Sequence, residues 1–295
     1  MSSSVRYCGR EFTPADIGTI RDLITSNPDA NRSRLSRLVC EQLGWLRLDG
    51  GLKDMSCRVA MLRMQDDSLI ELPAPRKRNT NGEPYRRRTL QAEPRLLPIN
   101  VPAGVLVDLH LELVAGGPPQ RRSDSHLWNE YIDRYHYLGY QPLPGAQLRY
   151  FAWAGGEIIA LLGFGAAAWK TAPRDQFIGW NPEQREKNLH LVVNNARFLI
   201  LPWVNSRNLA SCLLAMAARR LANDWHERYS YRPVLLETFV ETPRFLGTCY
   251  KAANWIHLGL TQGRGKLDVT NTSQLPKKSI WVWPLASGFR NTLCD

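Results

Sequence analysis

Residues 190–240 read HLVVNNARFLILPWVNSRNLASCLLAMAARRLANDWHERYSYRPVLLETFV, and the order of elements in this stretch decides the fold class. HLVVNNARFLILPWV is an apolar run rich in Val, Leu, Ile and Phe, which predicts a buried strand. From Ser206 to Tyr229 the apolar residues recur at helical spacing, which predicts a long amphipathic helix. PVLLETFV, residues 233–240, returns to a strand. Working outward, GVLVDLHLELV (104–114) alternates like a strand, and SDSHLWNEYIDRYHYLG (123–139) opens at a Ser/Asp cap and predicts a helix. AQLRYFAWAGGEIIALLGFGAAAW (146–169) reads as two strands turned at Gly155 and Gly156. TCYKAANWIHLG (248–259) predicts a short helix, and KKSIWVWPL (277–285) a last strand. Strands dominate the first half of this region and alternate with helices in the second. The expected fold is therefore α+β around one mixed sheet, spanning residues 99–295.

The chain ahead of it has a different pattern. In residues 12–73, TPADIGTIRDLITSNP offers Thr13 as N-cap and Pro14 at the first helical position. RSRLSRLVCEQLGW (32–45) places Leu35, Leu38, Val39 and Leu43 on one face. KDMSCRVAMLRMQDD (53–67) predicts a third helix with Met55, Val59 and Leu62 inward, and SLIELP (68–73) a short strand. Three helices and a strand predict a winged helix-turn-helix. Lys53, Ser56, Arg58 and Arg63 would then be the outward residues that meet phosphates and guanine edges. Residues 74–98 hold four prolines together with Arg76, Lys77, Arg78, Arg86, Arg87 and Arg88. They read as a basic linker that neutralises phosphates and carries little sequence information.

Bulk composition agrees with a polyanionic partner. The net charge is +11 and the pI about 9.6, which points to DNA first. No run approaches the roughly 18–20 apolar residues that span a bilayer, and MSSSVRYCGREF lacks the apolar core of a signal peptide. The six cysteines are scattered without a C-x-x-C pair, so reduced thiols in a cytoplasm are expected, with no structural metal.

Three features suggest chemistry. Glu237 sits in an otherwise apolar strand, so it is either ion-paired or functional. Asp175, in the polar stretch PRDQFIGW, could join it in a two-carboxylate Mg²⁺ site for phosphodiester chemistry. Cys249 opens a short helix, where a dipole and nearby cations favour the thiolate; packing is its other common role. Gly263, Arg264, Gly265 and Lys266 form a basic turn able to cradle a phosphate. Trp128, Tyr131, Tyr135 and Tyr137 recur at near-helical spacing, as core or as a stacking platform.

The motifs WNEYIDRYHYLGY, RDQFIGW, NNARFLILPWVNSRNLAS, LLETFVETPRFLGTCYKAANW and LGLTQGRG together resemble the DruA family of the Druantia anti-phage systems, over about residues 111–285. Similar sequences also accompany transposable elements. The resemblance implies a bacterial defence or mobile-element setting, dealings with DNA and other defence-system proteins as partners; it supplies no catalytic assignment. A second resemblance rests on element order alone, which is similar to that of the GCN5-related acetyltransferases. In that fold a glycine-rich loop after the fourth strand wraps a pyrophosphate at a helix N-terminus. The matching stretch here, PWVNSRNLAS, has no glycine, leaving Ser206 and Arg207 to meet a phosphate. The expected function is DNA binding in anti-phage defence or a mobile element, and the activity expected of it, if it is an enzyme, is DNA strand processing of nuclease or transposase kind. The alternatives are an acyltransferase with an acyl-CoA donor and a metal-dependent nuclease or strand-transfer enzyme.

Overall fold

The computed structural model describes residues 4–76, 85, 87–114, 122–143, 145–263 and 275–295. They divide into two compact units, residues 1–81 and 82–295.

In the smaller unit, β1 (Val5–Tyr7) and β2 (Arg10–Phe12) form an antiparallel hairpin ahead of three helices, α1 (Pro14–Ser26), α2 (Arg32–Gln42) and α3 (Asp54–Asp66). Thr13 caps α1 in a reciprocal box with Asp16, and Pro14 fills its first turn. Phe12, Ile20, Leu35, Val39, Met61 and Met64 make the core. Two expectations fail here. The inward face of α3 is Cys57, Ala60, Met61 and Met64, whereas Met55 and Val59 are exposed. The helix carries two apolar stripes, and the one with Cys57, Met61 and Met64 packs. SLIELP forms no strand. Its backbone is satisfied by side chains instead: Arg21 donates to Leu69 O and Leu72 N donates to Gln65. Ile70 and Leu72 are still buried, so the alternation reports packing and not strand pairing.

The larger unit is built on a seven-stranded sheet of the described residues. It comprises β3 (His110–Leu113), β4 (Leu148–Ala154), β5 (Glu157–Ala166), β6 (Val192–Ile200), β7 (Leu235–Glu241), β8 (Ile256–Leu260) and β9 (Lys278–Pro284), in the order β3-β4-β5-β6-β7-β9-β8. Every neighbouring pair is antiparallel except β6 and β7. Helix α4 (Arg122–Tyr135) follows β3. Between β5 and β6 come α5 (Ala172–Ile178) and α6 (Pro182–Asn188). Helix α7 (Leu209–Tyr229) joins the parallel pair, α8 (Thr248–Ala252) follows β7, and α9 (Phe289–Leu293) ends the chain. Thus the expected mixed α+β sheet is present.

Local chemistry explains the elements. Gly155 and Gly156 both take positive φ in the β4–β5 turn, as a two-residue primed hairpin requires. Leu209, Leu213, Ala217, Leu221 and Trp225 recur every four residues along α7 and are all buried; each large apolar side chain so placed contributes roughly 1.5–3 kcal/mol. The strand expected at 104–114 shortens to β3, because Asp108 adopts φ 52 and breaks the alternation. PRDQFIGW contains a helix, α5, where a polar loop was expected. The strand β8 lies in what read as the end of a helix. Among the described residues no helix is long and apolar enough to cross a membrane.

Candidate functional site

Strands β6 and β7 pair over three residues only, Val192 to Asn194 against Leu235 to Glu237, and then part. On the other side of β6, Arg197 pairs with Gly163 and Asn195 with Phe164, so Ala196 is the extra residue of a β-bulge. Parting and bulge together open a cleft of about 580 Å³ between the two strands, closed at its ends by the end of α4 and the start of α8. Beyond Asn194 and Glu237 the facing edges of β6 and β7 have no strand partner across the gap.

The floor is a buried polar network. Tyr250 donates to Asn195 Oδ1 at 2.8 Å, Thr238 donates to Asn195 O at 3.0 Å, and Asn195 Nδ2 donates to Gly163 O and Arg197 O. Burial holds the Tyr250 hydroxyl well above the usual phenol range, so it is protonated at neutral pH. The walls are cationic and aromatic. Arg197 donates from Nη1 to Ala196 O at 2.8 Å, while its buried Nε has no partner among the described residues. Arg244 lies 4.5 Å over the Tyr137 ring and 5.6 Å from the Phe245 ring. Burial, with Arg197 and Arg244 nearby, pushes His136 down to about 4, so its ring is neutral at pH 7. Among the four charged residues of the lining, Arg197, Arg244 and Lys278 face one carboxylate, Glu241.

Cys249 also lines the cleft. Burial pushes its thiol up, only partly offset by backbone amides, so the helix start does not yield a ready thiolate.

Glu237 and Asp175 do come together, but through a cation. Arg174, fully buried, donates to Glu237 Oε2 at 2.9 Å and to Asp175 Oδ1 at 2.7 Å. Ala168 N donates to Glu237 Oε1 at 2.7 Å, Trp180 Nε1 to Asp175 Oδ1 at 3.0 Å, and Arg185 approaches Asp175 at 3.6 Å. Burial pushes the Glu237 carboxyl up, opposed first by Arg174 and then by the Ala168 amide. These bonds tie α5 and its flanks to the sheet. Among the described residues no group of three or more His, Cys, Asp or Glu could hold a metal ion. The expectation of a metal-dependent nuclease or strand-transfer enzyme is therefore corrected. Its two carboxylates are spent on an arginine.

The loop before α7 is partly taken by the chain itself. Ile99 N donates to Trp203 O, Asn205 N to Ile99 O, and Ala103 N to Arg207 O. Arg207 is exposed, and the Ser206 Oγ is buried with no partner among the described residues. Gly263 takes φ 74; Arg264, Gly265 and Lys266 lie outside the described residues. In the smaller unit Lys53 and Arg63 are exposed, Ser56 is half-buried, and Arg58 is tied to Ser33 Oγ at 2.9 Å and Asp54 at 3.6 Å. Arg76 donates to Asp29 O, and Arg88 pairs with Asp133 at 2.9 Å. Arg87 is exposed; Lys77, Arg78 and Arg86 lie outside the described residues.

Sequence reasoning did not assemble the cleft. Of its lining, the sequence singled out Cys249 and the aromatic residues Tyr135 and Tyr137, but nothing in it brought Arg197 and Arg244 to one place. The available signal was NNAR within an apolar strand, since two amides and a guanidinium there need partners.

The DruA family, described as Druantia protein DruA, matches residues 63–275. No curated protein matches the chain. Among solved structures, the chain is similar to a Bacillus subtilis acetyltransferase in complex with CoA, at 10% identity and TM-score 0.34, covering 61% of this chain and 100% of that one. A Drosophila melanogaster polyamine N-acetyltransferase gives 12% identity, TM-score 0.37 and coverage of 60% and 100%. The Escherichia coli ribosomal-protein-S18-alanine N-acetyltransferase gives 9%, 0.35, and 60% and 95%. Because the family match spans well over half of its length, the chain belongs to the DruA family.

Proposed function

We propose that the larger unit is an acyl-transfer domain whose cleft between β6 and β7 admits the thioester end of an acyl donor. The observation that carries this reading is the early parting of two parallel strands. It leaves backbone N–H and C=O groups on two facing edges, with a volume in the range of small-molecule sites between them. An extended amide chain laid in the gap would bond to those edges as an added strand does. The reaction class is attack of an acceptor nucleophile on the thioester carbonyl, with the C–S bond breaking and the thiol leaving. The loop before α7 would hold the phosphate end through Ser206, Arg207 and the start of the helix. Lacking glycine and bonded to Ile99 and Ala103, it would do so with fewer backbone donors than a glycine-rich loop. Calorimetry of the full chain with acetyl-CoA tests the reading. Saturable heat, displaced by free CoA, is expected; no heat at millimolar ligand ends it.

A second reading concerns the smaller unit. Arg34 and Arg37 on α2 and Lys53 and Arg63 at α3 all present exposed side chains, a pattern that suits phosphate contacts. We infer a helical DNA-binding module of winged-helix kind, serving a defence-system protein. Its test is the salt dependence of DNA affinity.

A further inference from the structure

Arg197 is the residue that the fold leaves without a reason. It stands in the middle of β6, beside the bulge, with its Cβ packed where Gly163 leaves room: a Cβ on Gly163 would lie 3.2 Å from that of Arg197. Its guanidinium makes one hydrogen bond, to the carbonyl of its own neighbour Ala196, and its buried Nε makes none among the described residues. No carboxylate of the described residues lies within ion-pair reach of it. By contrast Arg174, also in this unit, is bonded to two carboxylates. A half-buried guanidinium with a buried, unpartnered Nε and no anion beside it is costly to hold, and a ligand oxyanion would offset that cost.

A second cation faces the same cleft. Arg244 stacks on Tyr137 and lines the cleft with no ion pair among the described residues. His136 lies close enough to both arginines to feel each of them. The lining carboxylate, Glu241, sits opposite Lys278 in the β7–β9 ladder and forms no ion pair with either arginine among the described residues.

We propose that Arg197 and Arg244 form an oxyanion seat in the cleft, which takes the phosphate or carboxylate of a second small ligand carrying a planar or apolar body. A guanidinium fork suits both oxyanions, because two parallel N–H groups match two oxygens. The exposed ring of Phe245, with Tyr137 at 5.1 Å, offers the body an aromatic wall. This deepens the acyl-transfer reading, on which it rests only for the ligand's role as acceptor; the seat itself stands on the two arginines.

The test titrates the full chain with inorganic phosphate, adenosine monophosphate and glutarate by calorimetry. At least one is expected to bind saturably. Arg197→Gln should weaken that binding tenfold or more, and Arg197→Lys less, since it keeps the charge and loses the fork. Arg244→Gln, an exposed substitution that the fold tolerates, should weaken it several-fold and keeps the test valid if the Arg197 variants do not fold. Phosphate or nucleotide binding without glutarate binding identifies a phosphate ligand, and the reverse a carboxylate. Binding of none of the three, or equal affinity in wild type and both Gln variants, overturns the seat. Acetyl-CoA is titrated separately: loss of its heat with oxyanion binding intact removes the acyl-transfer reading alone.

Discussion

At the scale of single residues, Glu237 carries the sharpest lesson. A carboxylate inside an apolar strand reads equally as catalytic or ion-paired, and its spacing in sequence decides nothing. Arg174, 63 residues away in the chain, settles it through a buried bond at 2.9 Å. Removing one partner of such a pair is far worse than never having built it, because the survivor keeps its charge without water. Arg174→Met is therefore expected to destabilise the larger unit by about 3–5 kcal/mol, and Glu237→Gln by less, since the amide oxygen still accepts from Arg174 or Ala168. Chemical denaturation of the three proteins checks this. A variant Arg174→Met as stable as wild type would mean that the clasp does not hold α5 to the sheet.

At the scale of elements, the short helix α8 is set by its first contact. Gly247, its N-cap, takes φ 69, and a Cβ there would meet the Trp281 indole at 2.8 Å. That indole is fixed by its bond to Ser279 Oγ at 3.0 Å. Gly247→Ala should thus add left-handed backbone strain and a steric clash, together about 2–4 kcal/mol, and lower Tm by roughly 5–10 °C. An unchanged melting curve would show that β9 yields at this point. The element order itself was legible: β4, β5, β6, β7 and β9 are short runs rich in aliphatic and aromatic residues, and α7 follows a period of 3.6. What escaped was short or non-local. β8 is five residues beside a tryptophan, too brief for a period to show. α3 has two candidate faces, and only the packing of Met61 and Met64 chooses between them. The cleft escaped because it is an absence of pairing: no local pattern announces where β6 and β7 stop bonding.

At the scale of the whole molecule, charge is the property that composition announces and the fold distributes. Of the +11 net charge, residues 1–81 hold 13 cations against 10 carboxylates, and residues 82–295 hold 25 against 17. The excess is therefore +3 in the first and +8 in the second. A helical module with so small an excess cannot attract a duplex by bulk field alone; it must place its cations on one surface. The exposed Arg34, Arg37, Lys53 and Arg63 are the candidates, whereas Arg58 and Arg88 already have carboxylate partners. Each phosphate contact contributes about −0.9 to the slope of log affinity against log salt. Replacing the four exposed cations with Gln in the full chain should flatten that slope by about 2–4 units and weaken binding to a mixed-sequence duplex at low salt. Arg58→Gln should instead lower stability with little change in slope. Fluorescence anisotropy from 50 to 200 mM salt reads both. An unchanged slope in the fourfold variant would locate DNA contact, if any, outside α2 and α3, and no binding at 50 mM salt would retire the DNA reading altogether.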